Sequence, residues 1–341
     1  MNKKTIRDID LRGKKILLRV DYNVALENGQ VADELRISQT IPTIEYLLKQ
    51  DCRIILMSHL GRPEGKVIPE LSLKPVVECL AKFLQKEVSF GEPKGKISLL
   101  ENLRFNPGEE ANTADFSRQL ANLGEVFVND AFGVCHRAQA STVGVTKFLP
   151  AVAGLLLEQE VDIIIKAMEK PQRPLVVIVG GAKLETKIGL IKKLLIKADQ
   201  LLVGGAVANK LMEDVDSQLA NGEKMRLPVD GVWEEKIMRD IGPKTRELFG
   251  EIIGRAKTII WNGPMGMFEK PKFSQGTEFI YQSIKKNRQA LSIVGGGDTL
   301  AALNKNKDYV KSFTHVSTGG GAMLELIEKG SLPGIDVLMD K

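Results

Sequence analysis

The stretch "SIVGGGDTLAAL" (residues 292–303) places an apolar run, three glycines and a helix-forming segment in direct succession. This order predicts a strand, a tight turn and the start of a helix. Glycines at such a turn let backbone N–H groups approach a phosphate at the positive end of the helix. No lysine of the G-K-[ST] type follows, and Leu300 stands where a dinucleotide motif has its third glycine. The stretch therefore predicts a phosphate site that fits neither of those two motifs.

Short apolar runs of the same kind recur along the chain and predict the fold. They lack strict alternation, as expected of strands that are covered on both faces in a parallel sheet. Segments with apolar residues near a 3.6-residue period, such as 38–50 and 185–198, lie between many of them. The predicted strands are 14–20, 53–57, 97–100, 126–128, 174–179, 200–203, 258–261, 291–294 and 313–317. This succession predicts an α/β protein with mostly parallel sheets.

The length and the strand ends both indicate two lobes. A chain of 341 residues exceeds what one hydrophobic core usually supports. In the first half the apolar runs end in charged or polar residues, whereas in the second half they end in glycines. We expect one lobe over residues 1–170 and a second over 171–329, with the join near 167–176, where two prolines interrupt the pattern.

Composition narrows the classes of function. The net charge of +5 is a mild basic excess, and only 5% of the residues are aromatic, so acidic small molecules are better candidate ligands than nucleic acid. Three cysteines without C-x-x-C spacing are typical of reduced, cytosolic thiols. The first residues carry no apolar signal core, and no apolar run approaches the length of a membrane span. We expect a soluble protein of the cytoplasm.

Basic side chains gather at or near the predicted strand ends of the first half. They are Arg36, Arg62, Arg104, Arg137, His59 and His136. Arginine matches phosphate and carboxylate groups with two parallel hydrogen bonds, so several arginines in one cleft would make an anion site. Taken singly, each could equally be a surface arginine paired with a neighbouring acid, but their place at successive strand ends favours the anion site. Asp21 and Asn23, which follow the first strand, suit either the recognition of substrate hydroxyls or a turn cap.

The glycine turns of the second half carry their own candidates. Lys183 and Lys187 are four residues apart and so share a helix face, where they could hold a polyphosphate or form a solvated basic surface. Asp298 is a candidate ligand of Mg²⁺, a candidate N-cap, or both. The turn at 317–322 repeats the glycine pattern. Cys135 is adjacent to His136, but without an evident orienting residue we expect a buried thiol rather than a nucleophile; His315 is expected to be a core residue.

Eight segments, in order and from end to end, closely resemble the phosphoglycerate kinase family. They are "RVDYNV", "SHLGRP", "ENLRFNPGEE", "VNDAFGVCHRAQASTVGV", "VGGAKLETKIGLI", "WNGPMGMFE", "VGGGDTLAA" and "STGGGAMLELIEKGSLPG". The resemblance implies an enzyme with two Rossmann-like lobes joined by a hinge, with residues 330–341 folding back onto the first lobe. The first lobe would bind 3-phosphoglycerate, and the second would bind ATP or ADP with Mg²⁺ as cofactor.

The resemblance also implies a role for individual positions. The substrate-binding residues would be Asp21, Tyr22, Asn23, Arg36, His59, Leu60, Gly61, Arg62, Arg104 and Arg137. The nucleotide-binding residues would be Gly181, Lys183, Lys187, Gly205, Asn262, Glu269, Gly295, Gly296, Gly297, Asp298 and Thr299. Arg36, Lys183, Gly297 and Gly320 would be catalytic, and Asp298 would be the metal ligand. The small-molecule substrates would be the partners of a monomer that binds neither nucleic acid nor a membrane.

The implied chemistry needs no general base, because a substrate carboxylate with a pKa of roughly 4 is already ionised at neutral pH. Catalysis would come from aligning two anions and neutralising the charge on the moving phosphoryl group, with closure of the lobes to exclude water. The chain departs from the family pattern at Ala25 and Ala206 and is shorter over 203–245 and 81–105. A catalytically weakened descendant that binds phosphorylated metabolites is therefore the alternative, and a nicotinamide-dependent dehydrogenase is disfavoured by the missing G-x-G-x-x-G.

Overall fold

The computed structural model describes residues 1–181, 188–213, 223–306 and 308–341. The chain divides into two compact units, Met1–Asp162 with Ser331–Lys341 and Ile163–Gly330. Within the described residues, each unit is built on one six-stranded sheet in which every pair of neighbouring strands is parallel. The predicted α/β fold with two parallel-sheet lobes is confirmed.

The first unit alternates strands and helices along the chain. Its elements are β1 (Lys15–Arg19), β2 (Leu26–Glu27), β3 (Gln30–Val31), α1 (Leu35–Ser38), α2 (Ile41–Lys49), β4 (Arg53–Met57), α3 (Lys74–Leu84), β5 (Ser89–Phe90), β6 (Ile97–Leu99), α4 (Pro107–Glu110), α5 (Ala114–Ala121), β7 (Val126–Asn129), β8 (Ala151–Ala153) and α6 (Leu155–Glu169). The division between the units falls inside α6. The last four residues of both β1 and β4 are buried, as expected of central strands covered on both faces.

The order of the first sheet, β5-β6-β4-β1-β7-β8, determines where the functional side chains meet. Strands β6, β4, β1 and β7 are consecutive neighbours and run in the same direction. Their carboxyl ends therefore lie at one edge, where ligands of parallel sheets bind. The segments that follow these four strands carry the basic residues that the sequence analysis singled out.

The second unit repeats this architecture. Its elements are β9 (Leu175–Val179), α7 (Ile188–Lys197), β10 (Gln200–Val203), α8 (Gly205–Glu213), β11 (Met225–Arg226), β12 (Gly231–Glu234), β13 (Ile237–Ile241), α9 (Pro243–Arg255), β14 (Thr258–Asn262), α10 (Gln275–Lys286), β15 (Leu291–Gly295), α11 (Gly297–Leu303), β16 (His315–Val316) and α12 (Gly320–Lys329). The sheet order is β11-β10-β9-β14-β15-β16. Glycines follow or end β9, β10, β14 and β15, so the glycine turns also gather at the carboxyl edge of one sheet.

The C-terminal segment packs on the first unit. It contains helix α13 (Pro333–Asp336), and the backbone N–H of Gly334 donates to the carbonyl of Cys135 over 2.8 Å. Met339 donates to the carbonyl of Ala151 in β8 over 3.0 Å and accepts from Lys4 over 2.7 Å. The last residues of the chain are thus tied by backbone hydrogen bonds to its first residues and to the edge strand of the first sheet.

All nine strands predicted from the sequence are present, and shorter elements join them. The edge strands β5, β8 and β11 and the antiparallel hairpins β2–β3 and β12–β13 were not predicted. The hairpin β12–β13 lies within residues 203–245, where we expect the chain to be shorter than the family that it resembles. Over the described part of the chain, no helix combines the length and apolar character that a membrane crossing needs.

Candidate functional site

A cavity of about 210 Å³ lies at the carboxyl edge of the first sheet. Its lining residues are Asp21, Asn23, Arg36, His59, Gly61, Arg62, Arg104, Gly133, Val134, His136 and Arg137. The structure thus brings together most of the residues that were predicted to bind the substrate. Tyr22 and Leu60 do not line the cavity, because both side chains are buried in the core and the hydroxyl of Tyr22 pairs with that of Thr40 at 2.8 Å.

Asp21 is the acidic group of this cavity and is paired with Arg36. The guanidinium of Arg36 donates to Oδ2 of Asp21. Burial alone would raise the pKa of Asp21, but the positive charge of Arg36, aided by that of Arg19, outweighs burial and lowers this pKa to about 2. Asp21 is therefore an anion at neutral pH, and its charge holds Arg36 at the cavity, where the arginine stays partly exposed.

His59 is held by a buried arginine that does not line the cavity. Nη2 of Arg19 lies 3.3 Å from Nδ1 of His59. An arginine nitrogen can only donate, so Nδ1 accepts and the proton of the neutral imidazole is on Nε2. Burial lowers the pKa of His59 well below its ordinary value, which keeps the ring neutral at neutral pH.

The charge of Arg19 is balanced inside the first unit through a short chain of hydrogen bonds. Nε of Arg19 donates to the hydroxyl of Ser141 over 2.8 Å, and this hydroxyl donates to Glu109 over 2.6 Å. The backbone N–H of Ser141 donates to the same carboxylate over 3.0 Å. Arg19 and Glu109 are both fully buried. This network fixes the orientation of His59 at the rear of the cavity.

Arg104 has donors that no described residue satisfies. Its side chain is 3% exposed, and Nη1 donates to the carbonyl of Gly61 over 2.7 Å. Nε lies 3.4 Å from Oε1 of Glu110, but neither Nε nor Nη2 makes a hydrogen bond. Burial, more than any other influence, lowers the pKa of Arg104. A buried guanidinium with unpaired donors beside a cavity is suited to an anionic ligand, since unpaired buried donors are costly.

A second cavity, of about 260 Å³, lies in the second unit. It is lined by Gly181, Gly205, Ala206, Asn209, Ile237, Met238, Arg239, Pro264, Gly266, Met267, Phe268, Glu269 and Asp298. Of the residues predicted to bind the nucleotide, Gly181, Gly205, Glu269 and Asp298 are therefore part of the lining. Ala206 is exposed to the cavity, so its methyl group contributes to the wall.

The other glycine turns form a packed cluster next to Asp298 in the chain. A β-carbon at Gly320 would lie 2.2 Å from Cα of Gly296, so the two turns meet backbone against backbone. Nδ2 of Asn262 donates to the carbonyl of Gly295 over 3.0 Å, and the hydroxyl of Thr299 accepts from Gly263 over 2.7 Å. The predicted residues of this cluster do not line the cavity; they are Asn262, Gly295, Gly296, Gly297, Thr299 and Gly320.

The residues predicted to bind the nucleotide phosphates are described only in part. Lys183 and Lys187 lie outside the described residues. Asp298 is exposed in the first turn of α11 and lines the cavity. Among the described residues, no three His, Cys, Asp or Glu side chains are close enough to hold a metal together. One carboxylate in an open cavity fits Mg²⁺ that arrives with a polyphosphate, because this ion takes one or two carboxylates plus phosphate oxygens and water.

Two features of the first cavity were missed by sequence reasoning. Arg19 was read only as part of a strand, although a charged residue within the apolar run "KKILLRV" is a signal of a buried, paired side chain. Gly133 also lines the cavity. In the segment after β7 the sequence had indicated only Cys135, His136 and Arg137. The thiol of Cys135 is buried as expected, and burial raises its pKa to about 12; His315 is buried too.

Comparison with known proteins gives the family. The model of the phosphoglycerate kinase family matches residues 6–225 and 211–330. A curated phosphoglycerate kinase of Pelotomaculum thermopropionicum is 43% identical in an alignment of 395 positions that covers 100% of both chains. The alignment is longer than this chain, so the relative contains segments that this chain lacks, in line with the shortening that the sequence indicates.

Solved structures of the same family have the same fold. Phosphoglycerate kinase of Coxiella burnetii superposes with a TM-score of 0.84 at 38% identity, over 98% of each chain. The enzyme of Pyrococcus horikoshii superposes with a TM-score of 0.86 at 27% identity, again over 98% of each chain. With the family model spanning most of the sequence, these matches are conclusive: the chain belongs to the phosphoglycerate kinase family.

Proposed function

We propose that this chain catalyses reversible phosphoryl transfer between ATP and the carboxylate of 3-phosphoglycerate, giving 1,3-bisphosphoglycerate and ADP. Membership of the family makes the chain a phosphotransferase, a kinase of glycolysis. The observation that carries the assignment of substrates is the composition of the first cavity. Four guanidiniums and one carboxylate line it, and one of these guanidiniums, that of Arg104, is buried with unpaired donors.

The first cavity is the proposed site of phosphoglycerate. Arg62, Arg104 and Arg137 would hold its phosphate, because guanidinium groups bind phosphate with parallel hydrogen bonds. His59 would add one donor from Nε2, the nitrogen that carries the proton. Asn23 would contact the glycerate part; its side-chain oxygen accepts from the N–H of Gly61 over 2.9 Å, which fixes the amide in place. Arg36 would then face the reacting carboxylate.

The second cavity is the proposed site of the nucleotide. Glycines 181 and 205 leave room for close approach of a ligand, and Glu269 would contact the ribose. Lys183 and Lys187 would neutralise the phosphates, with backbone N–H groups of the turns at 295–297 and 319–321. Asp298 would bind Mg²⁺, which when present supplies positive charge to the phosphate oxygens.

No general base is needed for this reaction, and the first cavity offers none. Asp21 is committed to Arg36, and burial keeps its neighbour His59 neutral with Nδ1 already accepting from Arg19. The other histidine of the lining, His136, already accepts through Nε2 from Nε of Arg137 over 3.2 Å. The attacking carboxylate is itself ionised, so the protein has to align the two anions and offset their charge. Arg36 is the proposed source of that positive charge on the substrate side, and Lys183 on the nucleotide side.

The test is a coupled assay of 1,3-bisphosphoglycerate formation with wild type, Arg36→Ala, Lys183→Ala and Arg12→Ala. Arg12 is an exposed arginine of the same unit that does not line the cavity, so its replacement is the matched control. We expect turnover by wild type and Arg12→Ala, with kcat reduced about a hundredfold or more in the other two, the usual effect of losing one charge-stabilising donor. A folded wild type that binds 3-phosphoglycerate without turnover would support the alternative of a metabolite-binding descendant.

The proposal includes the cellular compartment and the oligomeric state of the enzyme. We propose that it works as a cytoplasmic monomer on small molecules. The three cysteines are free and buried, which is compatible with a reducing compartment. Sedimentation of the purified chain at several concentrations would test the monomer, and a mass that rises with concentration would exclude it.

A further inference from the structure

The hairpin β12–β13 supplies one wall of the second cavity. Three consecutive residues of β13, Ile237, Met238 and Arg239, line the cavity, as do Gly181 and Gly205 of the glycine turns. The hairpin belongs to the segment in which this chain is shorter than the family pattern. None of these three residues of β13 is among the positions to which the resemblance to the family gives a role.

Hydrogen bonds anchor this wall on two sides. Nδ2 of Asn209 in α8 donates to the carbonyl of Met238 over 2.9 Å, and the N–H of Met267 donates to the carbonyl of Arg239 over 2.9 Å. The next residue, Asp240, is buried and accepts from the N–H of Gly276 over 2.8 Å. Arg239 therefore extends from a fixed stretch of backbone.

The guanidinium of Arg239 is oriented by one acid but is not satisfied by it. Nε lies 3.4 Å from Oε2 of Glu234, and the same oxygen lies 3.5 Å from Nζ of Lys270. Nε makes no hydrogen bond, and within the described part of the chain neither do the terminal nitrogens of this guanidinium. Glu234 thus balances one of two neighbouring cations, and the planar donors of Arg239 stay available in the cavity.

The apolar side chains next to Arg239 suit contact with a nucleotide base better than contact with a phosphate chain. Its neighbours in the lining, Ile237, Met238 and Met267, are apolar, and Ile237 and Met267 are 44% and 37% exposed. A flat heterocycle would cover these side chains. An arginine next to such a surface can donate two parallel hydrogen bonds to the O6 and N7 acceptors of a 6-oxopurine, whereas adenine offers N7 and a donor.

We propose that Arg239 is a specificity-determining residue of the nucleotide site, and that its guanidinium recognises the acceptor edge of a 6-oxopurine, so that guanine nucleotides are used at least as well as adenine nucleotides. This inference rests on the proposed function, because it presupposes that the second cavity binds the nucleotide. Glu234 is the positioning residue that orients the guanidinium.

The experiment compares KM for ATP, GTP and CTP in wild type, Arg239→Met, Arg239→Lys and Arg255→Met. Arg255 is exposed at the end of α9, away from the cavity, and serves as the matched control. We expect KM for GTP to be no higher than that for ATP in wild type and in Arg255→Met. Both changes at residue 239 should raise the ratio of KM for GTP to KM for ATP about fivefold or more, because lysine keeps the charge but lacks the two parallel donors.

Other outcomes would overturn the inference. If KM for all three nucleotides rose together, Arg239 would contact the ribose or the phosphates, and if no KM changed it would contact none of them. A wild type without turnover on any nucleotide would instead contradict the proposed function. In that case calorimetric titration of the same proteins with ADP and GDP would still decide whether Arg239 discriminates between the bases, and thermal melting would confirm that each variant is folded.

Discussion

The backbone of Gly133 lies against the carboxylate of Asp21: a β-carbon at residue 133 would be 2.3 Å from Oδ2 of Asp21. The same β-carbon would lie 3.4 Å from Nη1 of Arg36. The missing side chain of Gly133 is therefore what allows the pair of Asp21 and Arg36 to form at the rim of the first cavity. The segment after β7 contributes to the site by leaving space for one side chain that follows β1 and one that lies in α1.

Gly133→Ala should weaken the binding of 3-phosphoglycerate without affecting the nucleotide. The new methyl group has to displace the carboxylate of Asp21, and Arg36 loses the charged partner that holds it. Loss of one charge-assisted hydrogen bond at a binding site corresponds to about tenfold or more in affinity. Steady-state kinetics with each substrate varied in turn measure this as a higher KM for 3-phosphoglycerate at unchanged KM for ATP.

Gly254→Ala is the control for this glycine. Gly254 lies in α9, and a β-carbon there would meet nothing within 4 Å. Alanine is favoured over glycine inside a helix by about 0.5–1 kcal/mol, so this variant should be slightly more stable and kinetically unchanged. An unaltered KM for 3-phosphoglycerate in Gly133→Ala would show that Asp21 does not position Arg36.

Arg104→Met should weaken the stabilisation of the folded protein by anions. Ligands that bind only the folded state raise its stability, by about 2.7 kcal/mol at a hundred times Kd. Inorganic phosphate should therefore raise the Tm of wild type, because it satisfies the donors of Arg104 that are unpaired in the protein alone. The methionine variant should show a clearly smaller rise in Tm, because Arg62, Arg137 and His59 remain but the buried donors of Arg104 are gone. An equal shift in both proteins would place the anion elsewhere.

Most strands of the two sheets could be predicted because each is marked by a run of apolar residues that are adjacent in the sequence. Strand β9, for example, is an uninterrupted run of five buried apolar residues, which its burial on both faces requires. Strand β8 could not be predicted: "AVA" at 151–153 is three residues long and is stabilised as an edge by pairing with β7. Such short strands owe their conformation to neighbours that are distant in sequence.

The charged residues of the site could be predicted from the sequence, but the residues and elements that hold them in place could not. Arginines at strand ends indicated an anion site, and the first cavity contains all four of them. The partners of Arg19 were hidden, since Ser141 is separated from it by 122 positions in the sequence. The hairpin that brings Arg239 to the second cavity was hidden as well, because it occupies the segment in which the family pattern gave no guide.

The ionisation of Asp130 should make the free energy of unfolding fall as pH rises. Its Oδ1 accepts from the N–H of Leu156 and Leu157 at the start of α6, over 2.9 and 3.1 Å. Burial is nevertheless the largest influence and raises the pKa of this carboxyl from 3.8 to about 7. Between these values the folded state holds a proton that the unfolded chain has released. The stabilisation that this proton gives to the folded state is therefore fully present below about pH 4 and lost by about pH 7. Over this range the free energy of unfolding falls by at most about 1.4 kcal/mol per pH unit.

Asp130→Asn removes this ionisation and keeps an oxygen that can accept from the same two N–H groups. Urea unfolding at several pH values should show that the variant gains stability relative to wild type as pH rises from about 4 to 7. Asp115→Asn, at an exposed position in the first turn of α5, should show no such trend. A parallel pH dependence of wild type and Asp130→Asn would mean that Asp130 is ionised throughout.

Asp298→Asn should raise the magnesium requirement of the reaction. Asp298 is the carboxylate of the glycine turns that lines the second cavity, and an amide oxygen is a weaker ligand for Mg²⁺ than a carboxylate. With ATP fixed, half-maximal rate should therefore need a higher concentration of free Mg²⁺, and kcat should fall because the phosphoryl oxygens lose positive charge. KM for 3-phosphoglycerate should stay unchanged, since every residue that lines the first cavity is intact. The exposed Asp308→Asn, in the same unit but absent from the lining of this cavity, is the control. An Asp298→Asn enzyme with the magnesium dependence of wild type would show that the metal is held by the nucleotide alone or by residues other than Asp298.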